Sequence, residues 1–342
     1  MTTHLPPPPP EWASQDQLLI GWPSHFDPWD EPFAEAQKQI AAFANQIIAA
    51  AEGFSGKATE VVFVLEGDEA EAKARALVPG AKIINIPCGD TWVRDTAPVF
   101  SRVKGELHAR TFRFNGWGEK YIYPGDAELS VALAERLKAR RIDNDFVLEG
   151  GSVDWDDTGC LLTTDDCVLN PNRNGNWSRD EAETALKNAF GMRHIIWIKD
   201  GLLNDHTDGH VDNIARFVGS KHVICQSAQT DDPHAERLCA IEETLRNWRS
   251  PEGEALTVTT IPSPGRVLDE DGDFVPASHA NFAVTNQAVI VPAYNQFAED
   301  AVAALQPLFP GRKVVASPAD AVLTGGGSFH CISQQIPSDD TE

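Results

Sequence analysis

Apolar positions along this chain fall into two alternating rhythms. Residues 33–51 carry apolar and alanine side chains at helical spacing, and Gly53 stops the run. Residues 60–65 form a short, nearly unbroken apolar run, the pattern of a buried strand. A helix over 68–77, closed by Pro79-Gly80, and a strand over 82–86 repeat the alternation. Further along, the pattern predicts helices over 127–140, from Ser178 to about Phe190, over 233–248 and over 297–305. Ser178 and Glu181 make a capping box, and Pro307 keeps the last helix from running on. Strands are expected over 17–23, 107–114, 146–149, 160–164, 194–198, 208–217 and 223–225. A hairpin over 278–291 turns at Thr285-Asn286-Gln287, and residues 313–315 lead to Gly325-Gly326-Gly327. Residues 89–100 read as a strand-like stretch with charge mixed in, residues 328 onward as the start of a last strand, and 262–277 as a surface loop. Strands alternating with helices place the chain in the α/β class. No linker divides residues 1–342, so one domain is expected, with a stiff proline lead-in over 1–11 and an acidic tail over 338–342.

Superimposed on this alternation is a weak repeat. Asp95, Glu149, His210, Asn281 and Cys331 each stand at one end of a predicted strand, 50 to 71 residues apart. A period of this size suggests radially stacked units whose strand ends converge on an axis. Convergence of that kind would bring distant side chains into one pocket.

Composition narrows the partners. The net charge of -23 argues against nucleic acid and anionic membranes and is compatible with a cationic substrate. No apolar run approaches the ~18 residues of a membrane span, and residues 1–5 have neither the basic region nor the apolar core of a signal peptide. The six cysteines include no CxxC pair, so reduced thiols in the cytoplasm and no zinc knuckle are expected.

Each candidate residue has a plain reading and a functional one. Three successive glycines, Gly327 included, imply a positive φ or close approach to something bound, yet no Lys-Ser/Thr follows as a phosphate-binding loop requires. Cys331, just past that bend, is either an inert buried thiol or a nucleophile. Asp95 beside Arg94 can be an ion pair, and Glu149 a turn acid. His210 and Asp212 share a strand face at i and i+2, but no third ligand stands near them, so neither a metal nor another cofactor is expected.

Taken together, the segments TWVRDTAP (91–98), FVLEGGS (146–152), DGHVDN (208–213) and GGGSFHCISQQ (325–335) closely resemble the agmatine deiminase family, relatives of the bacterial peptidyl-arginine deiminases. The resemblance spans about residues 12–337 and implies a five-bladed α/β propeller, the pentein fold, with a central active site. It implies that Asp95 and Asp212 hold the nitrogens of a small cationic guanidine and that Cys331 attacks its central carbon. His210 would protonate departing ammonia and then activate water, Glu149 would orient His210, and Trp92 and Trp117 would line the pocket. A neighbouring imidazolium and the cationic substrate would both favour the thiolate. Agmatine, giving N-carbamoylputrescine, is the first candidate substrate; free arginine, C-terminal peptidyl arginine and other alkylguanidines stay open, as does a non-catalytic binder of cationic amines. A homodimer is expected by resemblance only. The chain departs from the family pattern at Ala97, at Ser328-Phe329 and in the N-terminal stretch with Asp27-Pro28-Trp29, regions expected to shape the pocket for the substrate tail.

Overall fold

The computed structural model describes residues 6–30, 32–269 and 271–339; the first five residues of the lead-in and the last three of the acidic tail lie outside it. Within it, five small sheets repeat one unit. Two antiparallel strands are followed by a helix, and a third strand then lies parallel to the second. The first complete unit is Val99–Val103, Glu106–Arg113, helix Asp126–Arg136 and Arg140–Val147. The next is Val153–Trp155, Cys160–Thr164, helix Arg179–Phe190 and His194–Ile198. Two more run from Ala215–Gly219 to Thr257–Pro262 and from Ala283–Val284 to Lys313–Pro318. The fifth is built from both ends of the chain. Ser333–Pro337 pairs antiparallel with Gln15–Gly21, which runs parallel to Glu60–Leu65. Asp95, Glu149, His210, Asn281 and Cys331 each stand a few residues ahead of the first strand of a unit, as the repeat predicts.

Local sequence explains most of these elements. Helix Phe33–Ala49 buries Ala36, Ile40, Phe43, Ala44 and Ile47, an i, i+4, i+7 stripe. Phe43 stacks flat on Phe329, ring centroids 4.4 Å apart. Each such ring contributes about 1.5–3 kcal/mol on burial. The Ser178–Glu181 capping box forms in both directions. Val61–Leu65 is buried throughout, as a parallel strand covered on both faces must be.

Five expectations need correction. The helix expected over 127–140 stops at Arg136, because Lys138 takes a left-handed φ of 55° and Ala139 N–H closes back on Ala134. Arg140 already begins a strand. Within 89–100, Val93–Thr96 form one buried helical turn, and the strand starts only at Val99. His210 caps a 3-10 turn, Val211–Asn213, and Asp212 lies within it, ahead of the strand and not on it. Residues 278–282 are irregular, since the Asn281 backbone and side chain bond to the segment that carries Cys331. That segment, 328–332, is itself a turn, and the last strand begins at Ser333. Thr257–Pro262 is a strand that its mixed polar pattern does not announce.

The proline lead-in is a built part of the fold. Prolines have no N–H, so their carbonyls need outside donors. Arg110 donates to Pro6 O, and the Trp155 indole N–H donates to Pro8 O and Pro9 O.

Candidate active site

The five turns that precede the units bring their marker residues together. Cys331 is buried; its N–H and that of His330 donate to Asn281 Oδ1, and Asn281 Nδ2 donates to its sulfur at 3.1 Å. Asp212 Oδ2 is 3.7 Å from the same sulfur. Asp95 Oδ1 accepts from Gly151 N–H at 2.8 Å and its Oδ2 from the Trp117 indole at 2.9 Å. His210 Nε2 is 3.3 Å from Glu149 Oε2, and its Nδ1 lies 3.9 Å from Asp95 Oδ1.

Two glycines make this arrangement possible. A methyl group on Gly151 would lie 2.6 Å from His210 Nδ1, 2.9 Å from Asp212 Oδ2 and 3.1 Å from Asp95 Oδ1. The histidine and both aspartates therefore converge on the face this glycine leaves open. A methyl on Gly327 would lie 2.6 Å from the Trp92 ring and 3.0 Å from Cys331 Cβ, so its smallness serves close approach, while Gly326 alone of the three takes a positive φ, 112°. Among the described residues, no group hydrogen-bonds to the buried His210 Nδ1 or Asp212 Oδ1.

Above the thiol lies a cavity of about 150 Å³. Its walls include Pro28, Asp90, Trp92, Asp95, Trp117 and Cys331, with Tyr121 and His206 at the exposed side. Both tryptophans anchor carboxylates, Trp92 through Asp90 and Trp117 through Asp95. Of the N-terminal departure, Pro28 lines this cavity and Trp29 stacks on Trp92 at 5.7 Å. Phe329 is fully buried in the core against Phe43 and does not line it.

Electrostatics set protonation states that no motif records. Burial pushes the Cys331 thiol well above its ordinary range, and the Asp212 and Asp95 carboxylates push it further. The thiolate expected from a neighbouring imidazolium is thus not favoured in this site as it stands. Burial alone would strip the proton from His210, but the Asp95 carboxylate and hydrogen bonds to Cys167 and Glu149 hold it, so the ring titrates well above 6.5. Burial raises Asp95 too, His210 opposing and Asp212 adding to the rise. Burial works against the Glu149 charge, yet the His210 hydrogen bond and the Arg173 guanidinium leave it lowered. Asp90 is pushed up to about 7 by burial.

Sequence reading missed several members. Arg173 Nε donates to Glu149 at 2.7 Å from 24 residues away. His330 and Glu11 stand behind Asp212. The Asp165–Val168 turn carries Cys167, whose sulfur is 3.5 Å from Glu149 Oε2. Among the described residues, the donor atoms of Glu149, Cys167 and His210 gather within 4.8 Å, a group that leaves out Asp212 and that sequence spacing does not reveal. Arg173 already neutralises Glu149, so a cation there would face a guanidinium.

Five repeated α/β units with a cysteine, a histidine and paired acids at their converging turns define a protein of pentein type. The chain belongs to the Porphyromonas-type peptidyl-arginine deiminase family, whose sequence model matches residues 8–337. It is 36% identical to an agmatine deiminase of Pseudomonas fluorescens, over 96% of this chain and 95% of that one. The solved agmatine deiminase of Enterococcus faecalis superposes with a TM-score of 0.88 at 28% identity, covering 96% and 95% of the two chains. A cysteine-to-serine variant of the C. jejuni agmatine deiminase with substrate bound superposes at 0.86 and 27% identity, covering 99% and 98%. No helix among the described residues is long and apolar enough to cross a membrane.

Proposed function

We propose that the protein hydrolyses a small guanidine, with agmatine as substrate and N-carbamoylputrescine and ammonia as products. The observation that carries this reading is a buried thiol 3.7 Å from Asp212, with Asp95 and His210 converging on the same opening. A guanidinium is planar and cationic, and paired carboxylates match its fork of N–H donors. Its charge would offset the two carboxylates that hold the Cys331 thiol up, so substrate binding itself favours the thiolate.

The Cys331 thiol, its proton released to solvent as substrate binds, adds as the thiolate to the guanidinium carbon, and the bond to one terminal nitrogen breaks. His210, held protonated, gives that nitrogen its proton as ammonia leaves, and a thiouronium remains on the sulfur. The neutral ring takes a proton from water, whose oxygen adds to the same carbon. The carbon–sulfur bond breaks as the added hydroxyl loses its remaining proton to solvent, where the ammonia takes it up as ammonium, and the neutral ureido group and the thiolate are released. Glu149, fixed by Arg173, orients the ring.

Agmatine is favoured over free or C-terminal arginine by one feature of the cavity. Among the described residues, its lining contains the carboxylates of Asp90 and Asp95 but no lysine or arginine to receive a substrate carboxylate. The test is ammonia release from agmatine, arginine and an arginine-terminated peptide side by side, with Cys331→Ala as control. Turnover of agmatine that vanishes in Cys331→Ala is expected. Equal turnover of arginine would overturn the substrate assignment, and residual activity in Cys331→Ala would overturn the covalent route.

A further inference from the structure

The buried charge behind the cysteine is more extensive than the proposed steps use. Glu11, which ends the proline run, is 5% exposed. Its Oε1 accepts from Val284 N–H at 3.0 Å. Its Oε2 accepts from Arg216 and lies 2.8 Å from His330 Nε2, with Arg94 Nη2 at 3.7 Å. The other ring nitrogen of His330, Nδ1, is 2.6 Å from Asp212 Oδ2. The ring thus bridges the two carboxylates, one through each of its nitrogens. Both carboxylates are held ionised. Burial opposes the Glu11 charge, but Arg216 and then His330 outweigh it. Burial likewise opposes Asp212, and the His330 hydrogen bond and charge outweigh that. A continuous file, Glu11–His330–Asp212, thus ends 3.7 Å from the Cys331 sulfur.

We propose that Glu11 is a positioning residue of the functional site: through His330 it fixes the orientation of Asp212 beside the thiol. The proposal rests on the guanidine reading for its kinetic consequence, though not for its geometry. Asp212 is faced by His330 and Cys331 from the C-terminal turn, by His210 from its own segment, by Asp95 from the turn after Trp92, and by Arg94 and Arg216 from behind. Of these, His330 lies nearest to its Oδ2, at 2.6 Å against 3.7 Å for the Cys331 sulfur, and Glu11 holds the far side of that ring. The N-terminal segment, 319 residues from His330 in the chain, is then part of the site.

The test compares Glu11→Gln with Trp155→Phe, which loosens the same segment at Pro8 and Pro9 without touching the file. Misplacing a reacting group by about 1 Å can cost ~10²-fold. Glu11→Gln should therefore raise KM for agmatine and lower kcat/KM by about 10- to 100-fold. Trp155→Phe should lower Tm and leave KM unchanged. A Glu11→Gln protein with wild-type KM, losing only active fraction, overturns the proposal. Nitrogen-15 NMR of the histidines, with His330 assigned by its loss in His330→Gln, reads the file without turnover. Both ring-nitrogen signals of His330 should move in Glu11→Gln and stay in place in Trp155→Phe. Signals of His330 that do not move in Glu11→Gln overturn the proposal. Should Glu11→Gln not fold, His330→Gln must give the same rise in KM, and a wild-type KM there counts against the file. If wild-type protein turns over no guanidine, the functional reading falls while the NMR comparison still decides this one.

Discussion

Replacing Asp95 by asparagine removes one of the two carboxylates beside the thiol at nearly constant shape. A guanidinium nitrogen about 4 Å from that carboxylate interacts with it by roughly 4 kcal/mol at the effective dielectric of a partly buried pair. Truncating one partner of a buried, hydrogen-bonded charge pair costs about 2–5 kcal/mol. At about 1.36 kcal/mol per decade, kcat/KM for agmatine should fall roughly 30- to 5,000-fold. The loss should divide between KM and kcat, because Asp95 also supports the charge on His210, 3.9 Å away. Two effects on stability oppose each other. The new amide can accept from Gly151 N–H or the Trp117 indole but not both, and a buried donor left facing a donor costs about 1–3 kcal/mol. Against that, one of three mutually repelling buried carboxylates is removed, the others being Asp212 and Glu149. Tm should therefore move little. The assay is ammonia release over a range of agmatine concentrations, with scanning calorimetry on the same samples. A kcat/KM within threefold of wild type at unchanged Tm would refute the assignment of Asp95 to the guanidinium.

Three other outcomes follow from the site. Because burial, Asp212 and Asp95 raise the Cys331 thiol, it is protonated at neutral pH, so its alkylation by iodoacetamide should be slower than that of exposed Cys239 and should climb about tenfold per pH unit past pH 9; a rate that levels off by pH 8, measured against Cys331→Ala, would contradict the raised value. Gly151→Ala puts a methyl 2.6 Å from His210 Nδ1 and should cut kcat/KM by about 100-fold or more while the protein stays folded; wild-type kinetics would show that the three groups do not converge there in solution. Prolonged EDTA treatment should leave turnover unchanged, and a loss restored by zinc would bring Glu149, Cys167 and His210 into the reaction as ligands.

What the sequence determined was whatever a local pattern can carry. The 3.6-residue stripe of residues 33–49, the Ser178–Glu181 box and the apolar run 60–65 each imply their own element, because the residues that decide it are neighbours in the chain. The recurring polar residue ahead of each unit announced five strand ends, and the chemistry of cysteine, histidine and paired acids suggested a cationic substrate. Tertiary structure decided the rest. Lys138, where a left-handed residue outweighs good helical periodicity, and Thr257–Pro262, a strand of mixed polarity held by its parallel neighbour, depend on contacts that local pattern does not encode. Glu11, Arg173 and His330 join the site by folding alone; nothing around Glu11 in a proline run marks it as the partner of a histidine 319 residues away. The same holds for protonation. Burial and the carboxylates around it keep Cys331 a thiol, whereas Asp95 and Glu149 keep His210 protonated against burial, and those fields exist only once strand ends far apart in sequence meet.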